Sequence, residues 1–250
     1  MYIDVHCHLD LLKNIDKVLE QTRKAGVGII VANGTDFETN RKVLDFAEKF
    51  DIVKAALGVY PIDALKMSDK GLDGEIEFIR KNKNKIIAIG EVGIDFKESD
   101  EIKKQEENFR KFIFLAKELD KPIIVHSRKA EERCVKILEE LMAKKVVMHC
   151  FSGKFSLVKR IVENGWFLSI PGNISHSQQF QKIVLEMPLN NLLCETDAPF
   201  LHPSRHGENS PENVIFCYQK IAELKKLSLE EVERKIQENY KRLFELKKLN

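Results

Sequence analysis

The stretch Ile86-Ile87-Ala88-Ile89-Gly90-Glu91 sets five apolar or small residues directly before a lone carboxylate. A run this short, rich in isoleucine and free of polar alternation, fits a strand buried on both faces of a parallel sheet. Similar runs lie on either side of it. Tyr2–Val5, Gly28–Ala32 and Ile52–Gly58 come before; Pro122–Val125, Val146–Met148, Trp166–Ile170 and Asn191–Cys194 come after. With Ile86–Gly90 they make eight, spaced by roughly thirty residues, the length of one strand–helix unit.

The segments between the runs carry helical periodicity. After Ser99, the residues Ile102, Phe109, Phe112, Ile113, Ala116 and Leu119 fall on one stripe. Cys134, Ile137, Leu138 and Leu141 repeat the pattern in the next connection. Ser228-Leu229-Glu230-Glu231 has the form of a capping box and predicts a last helix through Val232, Ile236 and Leu243. Ser210-Pro211 offers an N-cap and a first-turn proline for the helix before it. Eight such units predict an α/β protein, a (β/α)8 barrel of the TIM type. An open doubly wound sheet uses similar units and is the rival architecture. No Gly-, Ser- or Pro-rich linker divides residues 1–250, so a single domain is expected.

Composition narrows the function classes. Hydrophobic residues make up 43% and charged residues 32% of the 250 positions. The charged share exceeds the ordinary ~25%, and its Lys and Glu excess is of the kind found in heat-adapted proteins. Net charge is only +2, from 41 basic and 39 acidic side chains. That balance argues against a protein that coats nucleic acid and leaves room for an enzyme that touches a few phosphates. No basic segment followed by an apolar one opens the chain, and no apolar run reaches ~18 residues, so neither a signal peptide nor a membrane span is expected. Cys7, Cys134, Cys150, Cys194 and Cys217 lack metal-type spacing and are expected to be buried free thiols in a reducing cytoplasm.

Potential metal ligands stand where the predicted strands end, which is the catalytic face of such a barrel. His6 and His8, separated by one residue after the first strand, can face the same way. Glu91 closes its run, where burial without a cation or donors would be costly. His126 follows Ile123-Ile124-Val125, and His149 follows Val146-Val147-Met148. Asp197 lies past the eighth strand, with Glu195 two residues earlier as a competing acid. Oxygen and nitrogen donors suit Zn, Mn, Co or Mg. Six ligands exceed the needs of one tetrahedral site and point to two divalent ions that share a carboxylate.

These residues bring a family into view. The chain resembles the TatD-type metal-dependent deoxyribonucleases of the amidohydrolase-like barrel superfamily over nearly its whole length. The likeness runs from Asp4-Val5-His6-Cys7-His8-Leu9 to Asn239-Tyr240-Lys241-Arg242-Leu243-Phe244. Gly90-Glu91-Val92-Gly93-Ile94-Asp95, Pro122 to Arg128, Met148-His149-Cys150-Phe151-Ser152-Gly153 and Glu195-Thr196-Asp197-Ala198-Pro199 lie between. The resemblance implies that His6, His8, Glu91 and Asp197 hold one ion, and that Glu91, His126 and His149 hold the other. It also implies hydrolysis of phosphodiester bonds in DNA by a metal-activated water, from the 3′ end of single strands. DNA would then be a transient substrate, and Asp197 would accept a proton from the attacking water.

Substrate contacts are expected from Arg128, from Arg205 in the loop Pro203–Gly207, and from the turn Phe151-Ser152-Gly153, whose N–H groups suit an anion. Tyr60 stands where the family commonly has histidine, and Glu208 in a loop that is often more basic; Tyr60 could stack on a base or cover the core. His176, His202 and His206 are expected in solvated loops, and Trp166 in the core. Two other readings compete. The same barrel can hydrolyse a small phosphate ester, a lactone or an amide, because substrate choice resides in the loops. A barrel that keeps metal for stability could instead serve as a non-catalytic binding partner.

Overall fold

The computed structural model describes residues 1–245. Eight parallel strands form one sheet in chain order: β1 (Tyr2–Cys7), β2 (Val27–Asn33), β3 (Val53–Leu57), β4 (Ile86–Gly93), β5 (Ile123–His126), β6 (Val146–His149), β7 (Phe167–Pro171) and β8 (Leu192–Glu195). The strands are almost wholly buried, as the absence of polar alternation requires.

Helices cover the outside. They are α1 (Ile15–Lys24), α2 (Phe37–Lys49), α3 (Pro61–Lys66), α4 (Asp69–Lys81), α5 (Ile102–Glu118), α6 (Glu131–Glu140), α7 (Phe155–Glu163), α8 (Gln178–Glu186), α9 (Val214–Lys225) and α10 (Leu229–Phe244). The capping box of Ser228 and Glu231 opens α10, with Glu231 accepting from the Ser228 N–H at 2.7 Å. Consecutive outer helices are stitched by ion pairs: Lys111 to Asp73 and Arg80 to Glu118 join α4 and α5, and Arg110 to Glu140 joins α5 and α6. Singly such exposed pairs add little to stability, whereas networks gain weight at high temperature.

Three expectations need correction. Ser210-Pro211 opens a short 3₁₀ turn over Pro211–Asn213 that runs directly into α9, so the helix proper starts only at Val214, and the Ser210 hydroxyl donates to Glu212. Ile102 begins α5 but points outward, 47% exposed, because the stripe that reaches the sheet starts at Phe109. Glu91 lies inside β4, since the strand continues to Gly93. Trp166 just precedes β7; it is buried, and its ring N–H donates to the Ala143 carbonyl at 2.9 Å.

The seam between β8 and β1 is closed by the residues just past β8. The Asp197 N–H donates to the His6 carbonyl at 3.0 Å, and the His8 N–H to the Ala198 carbonyl at 2.8 Å. Below them the buried Asp4 carboxylate accepts from the Thr196 N–H at 2.9 Å, the Thr196 hydroxyl at 2.5 Å and the His6 N–H at 3.2 Å. Asp4→Ala would strand three buried donors, each worth about 1–3 kcal/mol when unmatched. The thermal midpoint is expected to fall by at least about 6 °C, since three donors at the low end give roughly 3 kcal/mol and each kcal/mol lowers it by about 2–4 °C in a chain of this size. An unchanged midpoint in a calorimetric scan would show that closure does not depend on this clasp.

Candidate metal centre

Side chains alternate along a strand, so Asp4, His6 and His8 share one side of β1 and its exit. Asp4 goes to the seam, which leaves the two imidazoles for the barrel mouth. Glu91 comes up from β4, His126 and His149 end β5 and β6, and Asp197 follows β8. All six expected ligands converge. Asp197 has φ 55° and Cys150, next to His149, has φ 44°. Both occupy the sparsely populated left-handed region, and such outliers gather at functional sites.

Glu91 divides the cluster. Its Oε2 stands 3.3 Å from Nε2 of His6 and 3.3 Å from Nε2 of His8. Asp197 Oδ1 is 3.5 Å from each of those nitrogens, which are 3.3 Å from each other. Donors about 2.0–2.1 Å from a tetrahedral centre stand about 3.3–3.4 Å apart, so His6, His8 and Asp197 are spaced as ligands of one ion, with the Glu91 oxygen equally close to both rings. The other oxygen, Oε1, lies 2.8 Å from His126 Nδ1 and 3.2 Å from His149 Nε2, which makes a second group of three. Among the described residues, no lysine or arginine pairs with Glu91 or Asp197. Two buried carboxylates against bare ring nitrogens fit a divalent cation.

A second layer holds the rings. His126 Nε2 meets Asp95 Oδ2 at 2.9 Å, and the Tyr60 hydroxyl donates to that same oxygen at 2.7 Å. The other Asp95 oxygen accepts from the Lys97 and Glu98 N–H groups at 2.8 and 3.0 Å. His149 Nδ1 faces Glu195 Oε1 at 3.4 Å, and the Ser169 hydroxyl donates to the other Glu195 oxygen. The His149 ring stacks on His6 at 3.9 Å and 11°. Gly93, at φ 148°, brings β4 so close to β5 that a Cβ there would lie 1.9 Å from the His126 carbonyl oxygen.

The electrostatics follow from burial against charge. Burial pushes the Glu91 carboxyl up, but His149, His6 and the hydrogen bonds of His126 and His149 outweigh it and hold the group well below its ordinary value. Burial likewise opposes protonation of His8, yet Asp197 and Glu91 raise it to about 10. His126 and His149 are raised by their carboxylates in the same way. Without metal, protons on imidazole offset the carboxylates; ion binding at this centre therefore releases protons.

The centre opens into a cavity of about 640 Å³. His8, Glu91, His126, His149 and Asp197 form part of its wall, as do the expected contacts Tyr60, Arg128 and Ser152. Arg128 is exposed and reaches Glu98 at 3.3 Å, and the Ser152 hydroxyl donates to Glu131 at 3.3 Å. Tyr60 does not present a free ring: its hydroxyl is tied to Asp95, and its ring meets His126 edge-on at 4.9 Å. Gly153 and Arg205 do not reach the wall. Gly153 is boxed in by the Phe151 ring and Glu131, and Arg205 sits in an exposed turn at φ 66°.

His202 in the same loop accepts from Ser204, and His206 is exposed. His176, off the wall, meets the Ser175 hydroxyl at 3.1 Å. Four of the cysteines are buried free thiols as expected, whereas Cys150 is half-buried and lines the cavity. Sequence reasoning missed Asp95, which ends a quoted motif, and the supporting place of Glu195, which it weighed as a ligand. It missed Leu11, Phe200 and Leu201 on the wall altogether.

A parallel eight-stranded barrel with a nitrogen–oxygen donor cluster at the C-terminal ends of its strands is the build of a metal-dependent hydrolase. The family model described as TatD related DNase matches residues 3–245. The chain is 36% identical over 246 residues to an uncharacterized metal-dependent hydrolase of Methanocaldococcus jannaschii, covering 97% of this chain and 96% of that protein. It is 35% identical over 257 residues to a human protein named deoxyribonuclease TATDN3, covering 97% and 94%. The crystal structure of YjjV, a TatD homolog from Escherichia coli, superposes with a TM-score of 0.91 at 28% identity, over 98% of each chain. The chain belongs to the TatD-related DNase family of metal-dependent hydrolases.

The carboxylates behind the histidines carry a prediction. Asp95→Asn and Glu195→Gln keep shape but remove the charge behind His126 and His149. Each is expected to weaken metal binding about 10- to 100-fold in chelator competition, the usual effect of such partners. Affinity equal to the parent's in both variants would show that the rings are oriented by packing alone.

Proposed function

We propose that this protein hydrolyses phosphodiester bonds in DNA, removing nucleotides from the ends of single strands. His6, His8, Glu91 and Asp197 would hold one divalent ion (Mg, Mn, Zn or Co), and Glu91, His126 and His149 would hold a second. The observation that carries the reading is the division of Glu91, whose two oxygens address two separate sets of ring nitrogens. Bound there, two such ions supply an acidified water and offset the charge of a phosphate oxygen.

The chain's own residues do the rest. Glu91 fixes the spacing of the two halves from one rigid strand. Asp197, 13% exposed at the cavity wall, accepts the proton of the attacking water. Burial raises its carboxyl, but His8, His149 and His6 outweigh this and keep it below its ordinary value, so it holds that proton only briefly. Arg128 at the rim attracts the phosphate chain, and the Ser152 hydroxyl beside it is within the same wall. A relative named deoxyribonuclease supports DNA as substrate. A near-neutral chain with one arginine at the rim suits a strand that is bound, cut and released.

Metal-stripped protein, re-supplied with Mg, Mn, Co or Zn, is expected to shorten end-labelled single-stranded DNA into a ladder. Asp197→Asn should lose about 10²- to 10⁴-fold in turnover, the share usual for a general base, while KM changes little. Cleavage of a lactone or a phosphomonoester, with none of DNA under any ion, would reassign the substrate. Arg128→Ala should raise KM and reduce the slope of log affinity against log salt by about one.

A further inference from the structure

The metal centre does not account for the apolar side of the cavity. Leu11, Phe200 and Leu201 line it, and Leu11 and Phe200 remain 49% and 52% exposed. Scattered exposed apolar residues are ordinary; three of them on the wall of one charged cavity are not. The Phe200 ring stands 6.1 Å from the His8 ring, centroid to centroid, at 69°. Its backbone is held firmly, with the Phe200 N–H donating to the Asp197 carbonyl at 2.8 Å. The buried Asn209 amide donates to the carbonyls of Phe200 and Thr196 at 2.7 and 2.9 Å. The ring is therefore mounted on the same segment that carries Asp197.

Other aromatic rings near the mouth are engaged. Tyr60 is tied by its hydroxyl, and the face of Phe37 is covered by the Arg41 guanidinium at 3.6 Å. In a sheet that runs in order from β1 to β8 and closes on itself, Arg128 after β5 stands across the mouth from Phe200 after β8 and Leu11 after β1. The mouth thus has an aromatic lip on one side and Arg128 on the other, with the metal centre between them.

We propose that Phe200, flanked by Leu11 and Leu201, is the stacking platform for one nucleobase of the substrate, beside the bond that is cut. This rests on the reading of the protein as a DNA hydrolase. Every base offers a π face, so the platform tolerates any sequence. A base in the interior of a duplex has both faces covered and cannot lie on Phe200. The ring therefore selects strand ends, with the phosphate chain directed toward Arg128.

The test is a binding measurement on the metal-loaded protein, with short single-stranded oligonucleotides protected by phosphorothioate linkages. Two probes carry 2-aminopurine, one at each end, because its emission is quenched when it stacks. Wild-type protein is expected to quench one probe. Phe200→Leu should abolish the quenching and weaken binding about 10-fold, in line with the stacking of one base on an aromatic ring. Phe200→Tyr should retain both effects. A strand abasic at the same end should bind wild type and Phe200→Leu equally. Unchanged quenching in Phe200→Leu, or none with wild type, overturns the platform. Equal weakening on the abasic strand overturns it as well and assigns Phe200 to support of His8. Quenching is read without hydrolysis: protein that stacks the base yet never cuts DNA refutes the proposed reaction alone, and protein that cuts DNA without stacking refutes the platform alone.

Discussion

A carboxylate at the inner end of a barrel strand governs this molecule. Glu91 is 3% exposed, and an ionised carboxylate so far from water is tenable only against positive charge. The barrel answers with four imidazoles from three other strand ends, two against each oxygen. That demand sets where the neighbours must be. It requires β4 and β5 in near contact at Gly93 and His126, and both His6 and His8 on one side of β1. It also sets further carboxylates behind two of the rings, Asp95 hydrogen-bonded to His126 and Glu195 facing His149 at 3.4 Å.

The outer layers answer a different requirement. The helices bury apolar stripes against the strands and meet one another through alternating charges, as between α4, α5 and α6. This explains how 32% charged residues coexist with a net charge of only +2. The charge is spent locally between adjacent helices, which leaves the mouth free to carry its own uneven distribution. Arg128 and Ser152 stand on one side there, and Leu11, Phe200 and Leu201 on the other.

Much of this was legible in the amino-acid sequence, for identifiable reasons. Buried parallel strands are short, mostly apolar runs without strict alternation, and each of the eight was visible as one. Polar residues that end such runs stand out, so His126, His149 and Glu91 were found before any contact was known. What failed depends on turns and on the third dimension. Whether Arg205 or Gly153 faces the cavity depends on loop paths that no period encodes. Ser210-Pro211 matched a helix start, yet the Ser210 hydroxyl found Glu212 and the chain made a 3₁₀ turn before α9 began at Val214. Asp95 and Glu195 support rings far away in sequence, and a supporting acid resembles a surface acid until its partner is placed. Phe200 was overlooked because an apolar residue after Ala198-Pro199 reads as packing.

The seam between β8 and β1 ties these themes together. Its bonds run through His6, His8, Asp197 and Ala198, so the backbone that shuts the cylinder is also the backbone that carries three of the four side chains proposed to hold the first ion. A catalytic loop grafted onto a closed scaffold could loosen while the scaffold stayed whole. Here the two cannot part company. Separation of the first strand from the last would scatter the donors, so loss of activity on heating would coincide with the opening of the cylinder. Residual activity would thus report directly on how much of the population is still shut.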